Sequence, residues 1–383
     1  MEFTPFEVHV DDAVIDDLRW RLRRTRWPDQ IPGSGWDYGT DGTYLRELCA
    51  YWADEFDWRA VETRINAWPQ FTTEIDGQRV HFIHARSPYP KARPLLMVHG
   101  WPSTPLEFLR TLGPLTDPVA HGGDETDAFH VVAPSIPGYG WSGPTAGRGW
   151  HPGRIAAAFG ELMDGLGYDR FAAFGTDMGS PINTELARRS PGLLIGLHLT
   201  LLQSGLRPLD GVLTPEEEAM VAANDRRRGD ELGYVAIQST RPQTLSYGLT
   251  DSPAGQAAWI VEKLRSWTDC DGDLESVLSR DEILATVMTY WVTATAGSSA
   301  RLYYEMARYF AGTSTRPAGS GRVEVPTGVA VFPKELYPTT ERIANDHFAI
   351  EHWNLMPRGG HFAAAEEPGL LVDDLRAFFR GRA

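Results

Sequence analysis

The sequence predicts an α/β fold in which a mostly parallel β-sheet is flanked by helices. The first observation is that, from residue 71 onward, short apolar segments alternate with longer segments whose apolar residues recur at helical spacing. Alternation of this kind is typical of parallel sheets with helices on both faces. The second observation is that loops rich in glycine follow several predicted strands. Ligands of such folds bind beyond the carboxyl ends of the strands, so catalytic residues are expected in these loops.

Short apolar or alternating segments are predicted to be the strands of this sheet. Residues 71–75 and 79–85 flank an Asp-Gly pair and are predicted to form a hairpin. The strands that follow are predicted at residues 95–98, 129–133, 171–174, 193–199, 329–332 and 350–356. Helices between them are predicted at residues 155–166 and 182–189.

The N-terminal segment, residues 1–92, is predicted to wrap the rest of the chain. Its first helix, residues 11–24, has Val14, Leu18 and Leu22 at every fourth position. The second helix, residues 43–56, is expected to bury the aromatic and apolar side chains of Tyr44, Leu48, Tyr51 and Trp52. Five tryptophans precede residue 60: Trp20, Trp27, Trp36, Trp52 and Trp58. An aromatic binding arm is one interpretation, but the large area that aromatic side chains bury favours packing.

Residues 203–322 interrupt the alternation and are predicted to form a helical cap, inserted between core segments at residues 93–202 and 323–383. Thr214 has the side chain typical of a helix N-cap, and Asp251 or Ser252 is expected to begin another helix. Further cap helices are predicted at residues 281–293 and 300–309. A cap of this kind can act as a lid that excludes water.

Composition excludes several classes of protein. The net charge of −15 disfavours nucleic-acid binding, and the hydrophobic content of 42% is enough for a sizeable core. Cys49 and Cys270 are too few for a disulfide framework. The N-terminus has no signal-peptide pattern, and no apolar run approaches the roughly 18 residues of a membrane span. We therefore expect a soluble, cytoplasmic protein that binds neither nucleic acid nor membrane.

A tight turn at residues 175–179 has the pattern of a nucleophile elbow. Gly175 and Gly179 lie two positions on either side of Asp177, after a predicted strand and before a predicted helix. In such elbows the central side chain is held in a strained backbone conformation and is exposed to the substrate. A carboxylate at this position would attack a carbon electrophile and form an ester that must then be hydrolysed. The alternative is a β-turn with a surface aspartate.

The loop after the strand at residues 95–98 is predicted to stabilise an oxyanion. In elbow enzymes, one backbone N–H from this loop and one from the residue after the nucleophile form the oxyanion hole. These donors would be the N–H groups of Trp101 and Met178. His99 in the same loop is interpreted as a structural residue.

An acid and a base follow the cap. Glu335 comes directly after the strand at residues 329–332, and His361 lies on a glycine-rich loop after the last predicted strand. The chain order is therefore nucleophile Asp177, acid Glu335 and base His361, as in α/β-hydrolases. Asp346 is a rival acid, but it lies in a predicted helix and ranks below Glu335. A metal site at His81 and His84 is not expected, because residues three apart on a strand point to opposite faces.

Six segments in order resemble the microsomal-type epoxide hydrolases, in their soluble bacterial branch, over nearly the whole chain. They are the tryptophan-rich N-terminal segment and residues 99–102, 233–238, 301–305, 325–336 and 358–364. The family usually has Gly-Gly-Asp-Trp-Gly at the elbow, whereas this chain has Gly-Thr-Asp-Met-Gly at residues 175–179. Because Met178 changes the wall of the pocket, the departure affects the identity of the substrate rather than the reaction.

The resemblance implies an α/β-hydrolase fold and hydrolysis of an epoxide to a vicinal diol. It assigns Tyr234 and Tyr303 of the cap to the epoxide oxygen, and Asp177 to nucleophilic attack. It implies no metal and no organic cofactor, partners limited to an epoxide and water, and a homodimer. The aromatic-rich chain suggests a bulky or aryl-bearing epoxide, and similar bacterial proteins act in natural-product pathways.

Three alternatives were weighed against this hypothesis. A haloalkane dehalogenase also uses a carboxylate elbow, but it typically holds the halide with a tryptophan N–H, which Met178 does not offer. An esterase would prefer serine at position 177. A non-catalytic ligand-binding protein on the same fold is disfavoured by the intact set of Asp177, Glu335 and His361.

Overall fold

The computed structural model of the chain describes residues 1–202, 206–311 and 321–382. The N-terminal part contains β1 (Thr4–Phe6), α1 (Asp12–Arg23), α2 (Gly42–Asp54) and α3 (Trp58–Asn66). The next part contains β2 (Gln70–Ile75), β3 (Gln78–Ala85), β4 (Arg93–Val98), α4 (Leu109–Thr116), β5 (Phe129–Pro134), α5 (Pro152–Gly165), β6 (Phe171–Gly175), α6 (Gly179–Arg189) and β7 (Leu194–Leu199).

Helices alone follow β7 before the sheet resumes. They are α7 (Pro215–Glu231), α8 (Gly233–Thr240), α9 (Pro242–Asp251), α10 (Pro253–Trp267), α11 (Arg280–Val292) and α12 (Ala296–Ala311). The C-terminal part contains β8 (Val323–Val331), α13 (Glu341–His347), β9 (Phe348–Leu355), α14 (Ala363–Glu366) and α15 (Pro368–Phe379).

The strands form one mixed sheet in the order β1-β2-β3-β5-β4-β6-β7-β8-β9. Strands β5, β4, β6, β7, β8 and β9 are parallel, whereas β1, β2 and β3 pair in antiparallel fashion at one edge. Because the carboxyl ends of the parallel strands lie at one edge of the sheet, the loops after β4, β6, β8 and β9 are brought together. The predicted α/β class with a mostly parallel sheet is confirmed.

The predicted hairpin and buried core strands are confirmed. Strands β2 and β3 pair from Gln70 with Ile83 to Ile75 with Gln78, and Asp76 and Gly77 have φ angles of 52° and 70° between them. Positive φ at both central residues is the requirement of the type I′ turn, which Asp-Gly satisfies. All five residues of β6 are buried because helices cover both faces of the sheet, which explains its continuous apolar sequence.

The N-terminal helices differ from the prediction in which side chains they bury. Helix α1 buries Ile15, Leu18 and Leu22, whereas Val14 is 38% exposed. The observed spacing of three and then four residues follows the 3.6-residue helical turn more closely than a strict repeat of four does. Helix α2 buries Leu48 and Trp52 as expected, but its tyrosines are only half-buried.

Two N-terminal elements were absent from the prediction. Helix α3 begins after Asp57, whose side chain accepts hydrogen bonds from the N–H groups of Arg59 and Ala60. Strand β1 has three residues and is recognisable only through its pairing with β2. Of the five tryptophans, Trp52 and Trp58 are buried and Trp20 is 56% exposed, so the segment supports packing only in part.

The helical insertion is confirmed in the described residues. Thr214 and Glu217 form a reciprocal capping box at the start of α7, and the Ser252 hydroxyl accepts a hydrogen bond from the Gly255 N–H at the start of α10. Among the residues that the structure describes, no helix combines the length and apolar character needed to span a bilayer. Cys49 and Cys270 are buried free thiols.

Strand β8 begins six residues before its predicted start. Its register against β9 shifts near Pro326, because proline cannot donate a ladder hydrogen bond. This irregular pairing interrupts the alternation of inward- and outward-facing side chains by which a strand is recognised in a sequence. The Pro- and Gly-rich break predicted at residues 315–321 lies, except for its last residue, outside the described residues. The four-segment division of the chain stays a prediction.

Candidate active site

The turn between β6 and α6 holds Asp177 in a left-handed backbone conformation, with φ of 43°. Such a φ is uncommon for a residue other than glycine and is found at strained functional sites. A Cβ on Gly179 would lie 1.9 Å from the Val98 carbonyl oxygen, and one on Gly175 would lie 2.6 Å from the Gly179 carbonyl oxygen. Glycine is therefore required on both sides of Asp177, because strand and helix approach each other at van der Waals distance.

The loop after β4 contacts the Asp177 carboxylate directly. The Trp101 N–H donates to Asp177 Oδ1 over 2.7 Å. A Cβ on Gly100 would lie 2.2 Å from the same side chain, so glycine permits this close approach. The His99 ring fixes the loop, because its Nδ1 contacts the Gly100 carbonyl and its Nε2 accepts from the Ile136 N–H. The interpretation of His99 as a structural residue is thus confirmed.

The other carboxylate oxygen of Asp177 faces His361. Asp177 Oδ2 lies 3.3 Å from His361 Nε2, and His361 Nδ1 lies 2.7 Å from Glu335 Oε1. The Leu336 N–H also donates to Glu335 Oε1, which fixes the carboxylate. The structure therefore brings the predicted nucleophile, base and acid into one line, in which His361 is hydrogen-bonded to Glu335 and lies within ion-pair distance of Asp177. The rival acid Asp346 lies on α13 and accepts from the Leu209 N–H instead.

The charges around His361 determine its protonation state. Burial alone would lower the pKa of this imidazole, but the Glu335 charge and the contact with Asp177 outweigh burial and raise its pKa well above 6.5. The two neighbouring carboxylates therefore favour the protonated form of the ring. Esterification of Asp177 would remove one of those charges and lower the pKa of His361.

Two cap tyrosines face this line. Tyr234 on α8 and Tyr303 on α12 are buried, with ring centroids 5.7 Å apart and planes at 76°. Burial raises the pKa of both phenols well above 10, and the Asp177 charge adds to both shifts. An interaction between the two hydroxyls also contributes to the pKa shifts of both phenols. Two neighbouring phenol hydroxyls can both donate to one ligand oxygen.

Aromatic rings pack against one another beside Asp177, where the cap meets the core. The Trp101 ring stacks on Tyr234 at 5.0 Å and 14°, and it meets Tyr303 edge-on at 6.1 Å. Trp267, at the end of α10, contacts Tyr234 at 5.4 Å. The Met178 side chain is also buried. The role of the Met178 N–H in the oxyanion hole stays a prediction.

Sequence reasoning missed Trp267 and Tyr139. The Trp267 carbonyl accepts from the His361 N–H over 2.9 Å, and its ring packs edge-on against the imidazole at 5.2 Å. Tyr139 has a buried hydroxyl without a protein partner, and the Asp177 charge contributes to its raised pKa. Tyr139 follows β5 at the carboxyl edge of the sheet, which was an available signal. Trp267 carries no local signal, because only packing of the cap brings it to the base.

One group of side chains in the described residues could hold a metal ion by composition. It comprises His198 on β7, His352 on β9 and Asp374 on α15. Asp374 already accepts from His198 Nε2 and His352 Nε2 at 2.7 Å each, and from the Asn354 amide at 2.6 Å. These bonds connect the C-terminal helix to the sheet and satisfy the carboxylate, so a structural interpretation suffices. This group shares no residue with the set of Asp177, Glu335 and His361.

Comparisons with known proteins agree with this geometry. Residues 3–108 match the family described as Epoxide hydrolase N terminus, and residues 93–225 match the alpha/beta hydrolase fold. A Stigmatella aurantiaca protein that is named as an epoxide hydrolase is 44% identical to this chain over 382 residues. The aligned region covers 98% of this chain and 84% of that protein. Epoxide hydrolase 1 of Sus scrofa is 38% identical over 400 residues, and the aligned region covers 98% of this chain and 88% of that protein. This chain belongs to the epoxide hydrolase family.

Solved structures place this epoxide hydrolase among the same enzymes. The juvenile hormone epoxide hydrolase of the silkworm Bombyx mori has a TM-score of 0.90 and 30% identity, covering 99% of this chain and 94% of that one. The Aspergillus niger epoxide hydrolase has a TM-score of 0.86 and 30% identity, and the superposition covers 100% of this chain and 97% of that one. The predicted α/β-hydrolase fold and the predicted family are confirmed. Membership of the family favours epoxide hydrolysis over the dehalogenase, esterase and binding-protein alternatives.

Proposed function

We propose that this epoxide hydrolase opens its substrate through a covalent ester on Asp177 and releases a vicinal 1,2-diol. The proposal depends on the different contacts that the two oxygens of the Asp177 carboxylate make. Asp177 Oδ1 accepts from the Trp101 N–H, and Asp177 Oδ2 lies 3.3 Å from His361 Nε2. A carboxylate held in this way is pre-oriented for attack and for later hydrolysis.

In the ring-opening step, Asp177 attacks one epoxide carbon and the carbon–oxygen bond of the ring breaks. Tyr234 and Tyr303 donate hydrogen bonds to the epoxide oxygen, and one of the two hydroxyls gives up its proton to the departing alkoxide. The resulting phenolate is reprotonated by the His361 imidazolium. The step therefore leaves an ester at Asp177, an alcohol on the substrate and a neutral imidazole.

In the hydrolysis step, the neutral His361 removes a proton from water while the water oxygen attacks the ester carbonyl carbon. Glu335 stabilises the imidazolium that forms, through its 2.7 Å contact with Nδ1. The N–H groups of Trp101 and Met178 stabilise the oxyanion. Collapse of this intermediate breaks the bond between carbonyl carbon and alkyl oxygen, and the departing alkoxide takes the proton of His361 to leave as the diol. The Asp177 carboxylic acid that forms then gives its proton to His361, which restores the carboxylate and the imidazolium.

The walls of the site support a bulky or aryl-bearing epoxide as the substrate. Trp101, Tyr234, Trp267 and Tyr303 present aromatic surface, and offset or edge-on contacts with a substrate ring are favourable there. Met178 adds a flexible apolar wall that adapts to irregular shapes. Styrene oxide is therefore a suitable first test substrate.

A single-turnover reaction of styrene oxide in ¹⁸O-labelled water tests the mechanism. The first diol should carry unlabelled oxygen, because its new oxygen comes from the Asp177 carboxylate, and the label should enter the protein. Direct incorporation of label into the first diol would refute the ester. The His361→Gln variant should accumulate the ester, which intact-protein mass spectrometry detects, whereas Asp177→Asn should form neither ester nor diol.

Narrower expectations belong to the same proposal. A homodimer and a role in bacterial natural-product assembly rest on family resemblance. The cytoplasmic location rests on the two cysteines and the lack of a signal pattern, and the division into residues 1–92, 93–202, 203–322 and 323–383 rests on the order of predicted elements. Light scattering on the purified protein tests the dimer, and a monomeric mass would contradict it.

A further inference from the structure

The loop that carries the catalytic base is held by acceptors that lie outside it. This base loop, residues 359–362, belongs to no helix or strand, yet each of its four backbone N–H groups donates a hydrogen bond of 2.9 Å. The acceptors are a side-chain oxygen of Asp269, the carbonyl of Trp267 and both side-chain oxygens of Glu366. The mechanism described above uses neither of these two carboxylates.

Glu366 bonds to the backbone on both sides of the base. Its Oε2 accepts from the Gly360 N–H and its Oε1 from the Phe362 N–H, so one carboxylate holds the two residues that flank His361. These two bonds alone would close a local turn. Oε2 also accepts from the Asp269 N–H over 2.8 Å, across 97 positions of sequence. The same carboxylate therefore bonds to the base loop and to the cap.

The end of cap helix α10 supplies the other two acceptors. The Trp267 carbonyl accepts from the His361 N–H, and Asp269 Oδ2 accepts from the Gly359 N–H. A Cβ on Gly360 would lie 2.6 Å from the Trp267 carbonyl oxygen and 2.9 Å from the Asp269 nitrogen. Glycine at this position thus permits the close approach of the base loop to the cap.

The protonation state of Glu366 reflects two opposing effects. Burial raises the pKa of this carboxyl group to about 7, although the three backbone N–H donors and the His361 charge lower it. The ionised form accepts at both oxygens, and its hydrogen bonds are the stronger ones. A reaction at about pH 8 therefore has Glu366 mainly as the carboxylate.

The position of the base loop determines both contacts of the imidazole. His361 Nδ1 lies 2.7 Å from Glu335 Oε1, and Nε2 lies 3.3 Å from Asp177 Oδ2. Glu335 and Asp177 lie on other loops, so a shift of the base loop changes both distances. A misplacement of about 1 Å between reacting groups can cost on the order of a hundredfold in rate.

We propose that Glu366 and Asp269 are positioning residues, which connect the base loop to the end of α10 and thereby fix the position of His361 relative to the ester. The cap then has two roles in the reaction, because it carries the phenols and also aligns the base. The two carboxylates act through hydrogen bonds to backbone N–H groups and take no part in bond making. This inference rests on the proposed ester mechanism.

The test uses single-turnover reactions with styrene oxide at about pH 8, in which ester formation and ester hydrolysis are timed separately. Glu366→Ala removes the acceptor of three N–H groups, so hydrolysis should slow by roughly ten- to a hundredfold. Ester formation should stay within about twofold of wild type, because it depends on Asp177 and the cap phenols. Glu367→Ala is the matched control. Glu367 is the next residue, but it pairs with Arg358 outside the base loop, so both steps should proceed as in wild type.

Two substitutions of Asp269 separate the loss of a hydrogen bond from a general loss of stability. Asp269→Asn keeps an oxygen that can accept from the Gly359 N–H, so hydrolysis should stay within about threefold of wild type. Asp269→Ala removes that acceptor and should slow hydrolysis by roughly tenfold, with ester formation again close to wild type.

Equal slowing of both steps in Glu366→Ala, unchanged hydrolysis in that variant, or equal hydrolysis rates in the two Asp269 variants would each overturn the inference. If Glu366→Ala does not fold, the two Asp269 variants decide by the same criterion, because they leave Glu366 intact. Absence of any ester in the wild-type protein would instead be a failure of the proposed mechanism.

Discussion

Replacing Glu335 with glutamine isolates the charge that stabilises the catalytic imidazolium. Glutamine has the same shape, and its carbonyl oxygen can still accept from His361 Nδ1 and from the Leu336 N–H. The substitution therefore removes one negative charge at 2.7 Å from a buried ring and changes little else. Because Glu335 raises the pKa of His361, the variant should have a weaker base in the hydrolysis step.

The size of the effect follows from the strength of this contact. Hydrogen bonds to charged groups contribute about 1.5–3 kcal/mol, and neutral ones about half as much. Because glutamine keeps a neutral hydrogen bond, the loss in the hydrolysis transition state is about 0.75–1.5 kcal/mol, which corresponds to roughly three- to twelvefold. Ring opening depends on Asp177 and the cap tyrosines, so it should change far less.

Rapid-quench single turnover with styrene oxide, followed by intact-protein mass spectrometry, measures both steps. Glu335→Gln should form ester at close to the wild-type rate and then hydrolyse it roughly three to twelve times more slowly, as the loss in free energy implies. Asp346→Asn is the matched control, because Asp346 contacts only the Leu209 N–H among the described hydrogen bonds. Slow hydrolysis in Asp346→Asn together with normal hydrolysis in Glu335→Gln would refute the assignment of the acid.

Three further predictions concern the cap, the C-terminal helix and the elbow. Tyr303→Phe or Tyr234→Phe should slow ester formation by roughly ten- to a hundredfold, because one hydrogen bond to the alkoxide is lost. Hydrolysis of preformed ester should be unchanged, and a variant in which only hydrolysis is slower would contradict this prediction. Burial would raise the pKa of Asp374, but hydrogen bonds from His198 and other partners outweigh burial and lower it to about 2. The stabilisation that the Asp374 carboxylate gives the folded protein is therefore present above about pH 4 and is lost as pH falls towards 2. Asp374→Asn should cost about 2 kcal/mol in urea unfolding at pH 7 and much less near pH 2. Gly179→Ala should prevent correct folding, because its Cβ would lie 1.9 Å from a backbone oxygen, and a wild-type melting temperature would refute that reason.

The active-site line was accessible to sequence reasoning because each of its members follows a strand. Parallel strands bring their carboxyl ends to one edge, so the order of Asp177, Glu335 and His361 in loops after β6, β8 and β9 implies proximity. The elbow was recognisable for a local reason, since its glycines are required within four residues of one another. Helix starts such as Thr214 and Ser252 were likewise local, because an N-cap bonds within its own first turn.

Other features depended on contacts between segments far apart in the chain. Several cap tyrosines have comparable sequence surroundings, and only the seating of α8 and α12 on the core directs Tyr234 and Tyr303 towards Asp177. Trp267 gains its contacts with His361 from the packing of the cap on the core. Asp374 meets His198 across 176 residues of sequence.

The sequence by itself determined the alternation of core strands and helices, the strained turn at Asp177 and the residue types of the reaction. These depend on hydrogen bonds and sterics among residues within a few positions, which any reader of the chain can count. Only the tertiary structure decided how the cap phenols sit over the nucleophile and which cap side chain packs against the base. Those outcomes depend on how the cap packs on the sheet, and packing is set by the whole surface of both parts rather than by any short pattern.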